Sequence, residues 1–281
     1  RFIHQLTPQG DLYFVSNGGK DRVEDVCIFR IKDGLPVLLH PEDGSARVLP
    51  QYTWLEDGRT AVPLVFEADE SYFILFRNGP VSDNGINGKT NFPPKEEVLE
   101  VEGPWQVHFD DTLGGPDDVV WFERLEDWAS HANKDIRHYS GTAVYTCDFD
   151  MPAETLESPK SLFLDLGRVE VTARVRLNKQ DLGIAWKFPY RVPLGNTIHS
   201  GENQLEIRVA NLWVNRMIGD DGLPPDSPRK PDGTLKAWPR WLLEGNPSPS
   251  RRISFATWRH WTREDALQPS GLLGPVIVYR Q

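Results

Sequence analysis

Short apolar runs of period two, cut by Gly, Asn, Asp and Pro, dominate the chain. "DLYFVSN" is followed by Gly18-Gly19, "VCIFRI" by Asp33-Gly34, and "PVLLH" by "PEDG". "YTWLEDGRTAVPLVF" carries Asp57-Gly58 between two apolar runs, a hairpin signal because both residues tolerate the backbone of a tight turn. "SYFILFR" closes this part as a buried strand. Residues 1–77 are therefore predicted to form a small antiparallel β-sandwich. Residues 78–98, "NGPVSDNGINGKTNFPPKEEV", lack periodicity and are rich in Gly, Asn and Pro, which predicts a linker.

Residues 99–281 read as a second, larger β domain. "WQVHF", "GTAVYTCDFDM", "SLFLDLG", "VTARVRLN", "DLGIAW" and "YRVPL" are compact strand units. "NQLEIRVANLW" sets Leu205, Ile207 and Val209 on one face, and "ISFATWRHW" and "GPVIVYR" are predicted as the last strands. Leu125, Trp128 and Ala132 fall at helical spacing and predict one short helix. Residues 219–250, dominated by Pro, Gly and Ser, read as a long loop, and a loop of that length in a compact domain is functional or partly disordered. Tandem repeats and coiled-coil heptads are absent.

With 281 residues, 39% of them hydrophobic and 26% charged, the chain can bury one large core or two smaller ones. The mean hydropathy of -0.47 suits loop-rich sandwiches. A formal net charge of -10 argues against nucleic acid as a partner, since phosphate binding needs a basic stripe. It leaves room for a local arginine cluster that binds acidic polysaccharide. The sequence has no apolar run of transmembrane length, so no membrane partner is expected. The start at "RFIHQL" without Met suggests a mature form or a piece of something longer. Cys27 and Cys147 fall in different predicted domains and are expected as buried free thiols. Ten Trp on a β scaffold point to stacking on sugar rings or to core filling.

Five phrases in order carry a family resemblance: "GPWQVHFD", "DWASHANKDIRHYSGTAVYTCDFDM", "LDLGRVEVTARVRLNKQDLGIAWKFPYRV", "GENQLEIRVANLWVNRMIGD" and "LQPSGLLGPVIV". Tyr139, Gly141 and Tyr145 form a Tyr-x-Gly-x-x-x-Tyr opening strand. The order resembles the family 2 sugar-binding domain of glycoside hydrolases. The fuller wording resembles the C-terminal part of glycoside hydrolase family 106, the α-L-rhamnosidases, whose small N-terminal sandwich is matched by "DLYFVSN" and "GRTAVPLVFEADESYFILFR". The resemblance implies an all-β fold, a small antiparallel β-sandwich followed by a galactose-binding-like jelly-roll β-sandwich. It also implies an accessory role, binding carbohydrate or scaffolding, in an enzyme acting on rhamnose-containing plant or algal glycans. The implied partners are oligosaccharide and a catalytic barrel of the same or a longer chain, in a periplasmic or secreted setting. A stand-alone carbohydrate-binding protein and a small enzyme using jelly-roll carboxylates are the alternatives.

No catalytic residue is assigned. Glycoside hydrolysis needs two carboxylates flanking a bond, and the acids here fall mostly in turns. "RHYSG" offers His138, Tyr139 and Ser140, but no strand-to-helix nucleophile elbow surrounds the serine. His131 and His138 lack zinc-ligand company. "GDDG" and "FDDTLGGPDD" leave room for a structural calcium, and no cofactor is required.

Sugar binding or domain contact is expected at three places. The first is "NLWVNRMIGDDG", predicted as the loop leaving a strand, with Asn211, Trp213, Asn215, Arg216, Asp220 and Asp221; amides, a guanidinium fork, carboxylates and an indole suit a polyol. Loop closure explains the same residues, with Arg216 pairing Asp220 at i+4. The second is the hairpin residue Asn178 with the following Trp186. The third is "TWRHW", where Trp258 and His260 share one face.

Overall fold

The computed structural model describes residues 1–42, 44–77, 89–156 and 162–281. Its contacts divide the chain into two units, Arg1–Lys95 and Glu96–Gln281. The first eleven residues of the expected linker, 78–88, lie outside the described residues. The remainder of that stretch is structured. Asn91 is buried in the first unit, where its amide donates to the Gln51 and Pro63 carbonyls at 2.7 and 2.9 Å and accepts from the Gln51 N–H at 2.7 Å.

Among the described residues the first unit is a sandwich of eight strands: β1 (Phe2–Thr7), β2 (Gly10–Ser16), β3 (Val23–Phe29), β4 (Leu35–Leu39), β5 (Ala46–Val48), β6 (Thr53–Trp54), β7 (Thr60–Phe66) and β8 (Ser71–Arg77). One sheet runs β1-β2-β8-β4-β5 and the other β3-β7-β6. Alternation decides which side chains meet: Val62, Leu64 and Phe66 of β7 and Tyr72, Ile74 and Phe76 of β8 all turn inward into one apolar cluster. Asp57-Gly58 turns between β6 and β7, as the hairpin signal predicts. β1 is an edge strand whose Phe2, Ile3 and Leu6 are exposed.

The second unit holds β9 (Glu96–Glu100), β10 (Trp105–His108), β11 (Val120–Phe122), helix α1 (Lys134–Arg137), β12 (Thr142–Met151), β13 (Leu162–Asp165), β14 (Arg168–Glu170), β15 (Thr172–Leu177), β16 (Gln180–Ala185), β17 (Arg191–Pro193), β18 (Gly201–Ala210), helices α2 (Val214–Asp221) and α3 (Arg240–Leu243), β19 (Gly271–Gly274) and β20 (Ile277–Arg280). A six-stranded sheet, β11-β10-β12-β18-β15-β16, and a four-stranded sheet, β17-β13-β20-β9, enclose the core. β12 and β18 are paired antiparallel over ten residues from Thr142↔Ala210 to Met151↔Gly201. Their inward residues, Ala143, Tyr145 and Cys147 opposite Val209, Ile207 and Leu205, are buried. Both cysteines are free, Cys27 in the first unit and Cys147 in this core.

Three local expectations are corrected. "NLWVNRMIGDDG" is not a loop: its residues 214–221 form α2. The helix expected around Leu125–Ala132 is instead a single 3₁₀ turn, Trp128–Ser130, followed by α1. Asp127 caps the turn and Asn133 caps α1, each side chain accepting an N–H two residues on, so the chain restarts rather than continues. "ISFATWRHW" forms no strand beyond an isolated bridge between Thr234 and Trp258. The N–H groups of Ile253 and Ser254 are taken by a carboxylate instead of a ladder.

Candidate functional site: a cavity closed by helix α2 and the 222–263 loop

The site begins where β18 ends. Asn211 fixes that end: its Oδ1 accepts from the Gly141 N–H at 3.0 Å, and its Nδ2 donates to the Tyr139 carbonyl at 2.9 Å and Ser270 Oγ at 3.1 Å. Ser140 Oγ donates to the Leu212 carbonyl at 2.8 Å and accepts from the Arg216 N–H at 3.2 Å. Asn215, buried in the first turn of α2, accepts from the Gln268 N–H at 2.8 Å and donates to the Gln268 carbonyl at 2.7 Å. These bonds satisfy backbone groups that the strand-to-helix change would otherwise leave bare. Asn211, Asn215 and Ser140 therefore place the helix.

Arg216 is buried and does not line the cavity. Its Nη2 donates to the Leu113 and Gly114 carbonyls, both at 3.2 Å, while its Nη1 lies 4.0 Å from Asp220 Oδ1. Only a glycine fits at 114: φ is +75°, and a Cβ there would run into Ile253 Cδ1 and lie 2.9 Å from Arg216 Nη2.

The C-terminal end of α2 carries two adjacent acids. A helix C-terminus is a poor place for negative charge unless donors surround it. Asp220 is buried, and its Oδ2 accepts from the Ile253 N–H at 2.9 Å, the Ser254 N–H at 2.7 Å and Ser254 Oγ at 2.9 Å. Asp221 meets Arg259 in a fork, Nε to Oδ1 at 2.9 Å and Nη2 to Oδ2 at 2.8 Å, and also accepts from the Arg263 N–H at 3.1 Å. Burial alone would raise the Asp221 carboxyl; the hydrogen bonds from Arg259 and Arg263 outweigh it and hold the group below the usual carboxylate range. Two neighbouring residues thus tie down two stretches of the returning loop.

That loop has a small core of its own, in which Trp238 and Trp241 both contact the Phe255 ring and Trp241 Nε1 donates to the Asp226 carbonyl at 3.0 Å. Between α2 and the loop lies a cavity of about 720 Å³, a size suited to a small organic ligand. Its wall includes Asp221, Asp226, Trp258, His260 and Trp261 together with Arg229, Arg252, Arg259 and Arg263. Trp258 is half exposed; its Nε1 donates to the Asp232 carbonyl at 2.8 Å, and its ring meets His260 edge-on at 4.6 Å.

Of the residues singled out by sequence, Asp221, Trp258 and His260 come together in the cavity wall. Asp220 stands behind it as the loop's anchor, and Arg216, Asn211 and Asn215 hold the helix. Trp213 caps the start of α2 and is exposed. Asn178 is at the β15–β16 turn with φ +50°, donating to the Thr197 carbonyl and Asn203 Oδ1 and accepting from the Gln204 N–H, all at 2.9 Å. Trp186 is exposed just beyond β16. Neither lines the cavity.

The four cavity arginines and Asp226 were missed, although the signal is in the sequence. Residues 222–263 contain eight Lys and Arg against three Asp and Glu, and four of the ten Trp, in a chain of net charge -10. The acids of the cavity suit positioning better than proton transfer. A general acid needs a raised pKa, whereas Asp221 is held low, and Asp226 spends its two oxygens on Ser227 Oγ and Ser248 Oγ at 2.9 and 2.7 Å. Among the described residues, no three His, Cys, Asp or Glu gather as a metal-binding group.

No family model matches the chain. A curated protein of Formosa agariphila described as "Putative beta-glucuronidase" is 39% identical over 232 residues, 80% of this chain and 19% of its own length. The solved rhamnosidase from Novosphingobium sp. PP1Y superposes on 100% of this chain with a TM-score of 0.81 and 31% identity, over 24% of its own length. A β-glucuronidase from Bifidobacterium dentium overlaps 66% of the chain at a TM-score of 0.43 and 18% identity, a likeness too distant to carry an inference. The chain thus spans 19% and 24% of the first two proteins, and it is related in sequence and fold to a part of these larger glycoside hydrolases.

Proposed function

We propose that the chain is the accessory β-sandwich portion of a longer glycoside hydrolase acting on rhamnose-containing plant or algal glycans. In this reading the second unit is a jelly-roll sugar-binding domain, and the cavity beside α2 contributes wall to a glycan site completed by a catalytic domain. The supporting observation is the superposition of the whole chain on about a quarter of a rhamnosidase. The chemistry of the cavity agrees: indole faces and fixed polar groups suit a pyranose, and the carboxylates are engaged in structural hydrogen bonds.

The test is hydrolysis by the isolated chain. Neither an aryl α-L-rhamnoside nor an aryl β-D-glucuronide is expected to be cleaved. Cleavage of either that vanishes in Asp221→Ala, with the melting transition retained, overturns the accessory reading. An antibody against this segment should detect, in the source cells, a polypeptide far heavier than 32.0 kDa that co-purifies with glycosidase activity. A native species of about that mass that binds oligosaccharide without cleaving it would instead indicate a stand-alone binding protein.

A further inference from the structure

The cavity wall has the opposite charge from the rest of the molecule. Four guanidinium groups line it, against the carboxylates of Asp221 and Asp226. Arg259 is matched by Asp221, and Arg263 lies 3.6 Å from Glu264. Arg229 and Arg252 are held differently. Arg229 donates to the Gly233 and Ala256 carbonyls at 3.0 and 2.7 Å, and Arg252 to the Pro224 and Leu223 carbonyls at 3.1 and 2.7 Å. Carbonyl groups fix the direction of a guanidinium but leave its charge in place. Burial pulls the Arg229 pKa down, and the neighbouring Arg252 and Arg259 charges add to this against the opposing pull of Asp226. Like charges gathered at a partly desolvated wall are costly unless something anionic joins them.

We infer that this cavity receives an anionic sugar, one whose carboxylate or sulfate ester lies against Arg229 and Arg252 while its ring rests on Trp258. The carboxylate of a uronic acid and the sulfate of a sulfated sugar share the required chemistry: a compact oxyanion on a pyranose. The guanidinium N–H groups not spent on those carbonyls can donate to either one, and the positive charge attracts both. The half-exposed Trp258 ring, with His260 beside it, supplies the apolar face that a free inorganic anion would not use. The sugar half of this inference rests on the accessory-domain reading above; the charge preference rests on the wall alone.

Calorimetric titration of the whole chain tests it with four probes: methyl β-D-glucuronide, glucose 6-sulfate, methyl β-D-glucoside and sodium sulfate. At least one of the two anionic sugars should bind about tenfold or more tighter than both the neutral glycoside and inorganic sulfate. Whichever binds tighter identifies the source of the oxyanion. Arg229→Gln and Arg252→Gln should each remove that preference, and Arg252→Lys should retain part of it, with melting curves confirming that the loop stays folded. The inference is overturned if no probe binds, if the neutral glycoside binds as well as the charged sugars, if sulfate alone binds as tightly, or if the glutamine variants keep the preference. Cleavage of an aryl glycoside by the chain would sink the accessory reading but leave the charge preference standing, so the two can fail separately.

Discussion

Asp221 and Arg259 face each other through two parallel hydrogen bonds of 2.9 and 2.8 Å, although 38 residues separate them in the chain. One carboxylate at the end of a helix therefore fixes where a loop of about forty residues comes home. The pair predicts a pH dependence. Because the folded Asp221 pKa is depressed, its contribution is present in full above the unfolded carboxylate value of about 3.9. It is lost as pH falls through the lower folded value. The melting temperature of wild type should exceed that of Asp221→Asn at neutral pH, and the gap should close only at pH values below about 3.9. A gap that narrows between pH 7 and 5 contradicts the assignment.

Asp220 is the more costly residue to lose. Its buried Oδ2 serves three donors, so Asp220→Ala strands the Ile253 and Ser254 N–H groups and leaves Arg216 without its nearest carboxylate. We expect a loss of about 3 kcal/mol in urea unfolding. Asp220→Asn, which keeps one acceptor oxygen, should lose less. Equal melts for wild type and alanine variant would show that the loop is not anchored here.

How much of this was legible beforehand differs by level. Period-two runs such as Leu205, Ile207 and Val209 reveal strands because alternation is a local property. The α2 helix was hidden although Val214, Met217 and Ile218 stand at helical spacing, because the run follows directly on the period-two strand and ends in Gly219 and two acids, and the residues that hold it, 253 and 268, are distant in sequence. Asn211 and Asp220 were visible as polar residues in a suggestive place, but whether an amide holds backbone or ligand is decided by what arrives from elsewhere. The arginine wall was legible only by counting charge within the loop rather than over the chain.

Tyr145 predicts a core effect of a different kind. Its hydroxyl accepts from Trp128 Nε1 at 2.6 Å and from the Leu272 N–H at 3.2 Å, in a fully buried setting, and burial pushes its pKa up. Tyr145→Phe keeps the ring but strands both donors, at a cost of about 2 kcal/mol. Chemical denaturation should show this as a lower midpoint with an unchanged slope.

Cys147 predicts slow chemistry. Burial, with Asp148 adding, pushes its thiol up to about 11, so little thiolate exists at neutral pH. A disulfide reagent at pH 8 should leave it unmodified in the folded protein and label it at the rate of unfolding. Rapid native labelling of Cys147, followed by peptide mapping to separate it from Cys27, would contradict the packing described.

The adjacency of Asp220 and Asp221 has a consequence for how this region can change. Side chains one residue apart on a helix point about 100° apart, so the pair works as a two-sided clasp whose registry depends on the length of α2. Inserting or deleting one residue between Asn215 and Asp220 would swing both carboxylates away from their donors together. The hydrogen bonds of the clasp go to Ile253, Ser254, Arg259 and Arg263, and none goes to a residue between Pro231 and Asn246. That stretch can thus vary in sequence without altering the cavity wall, which is built from residues on either side of it, while the sandwich beneath keeps its form.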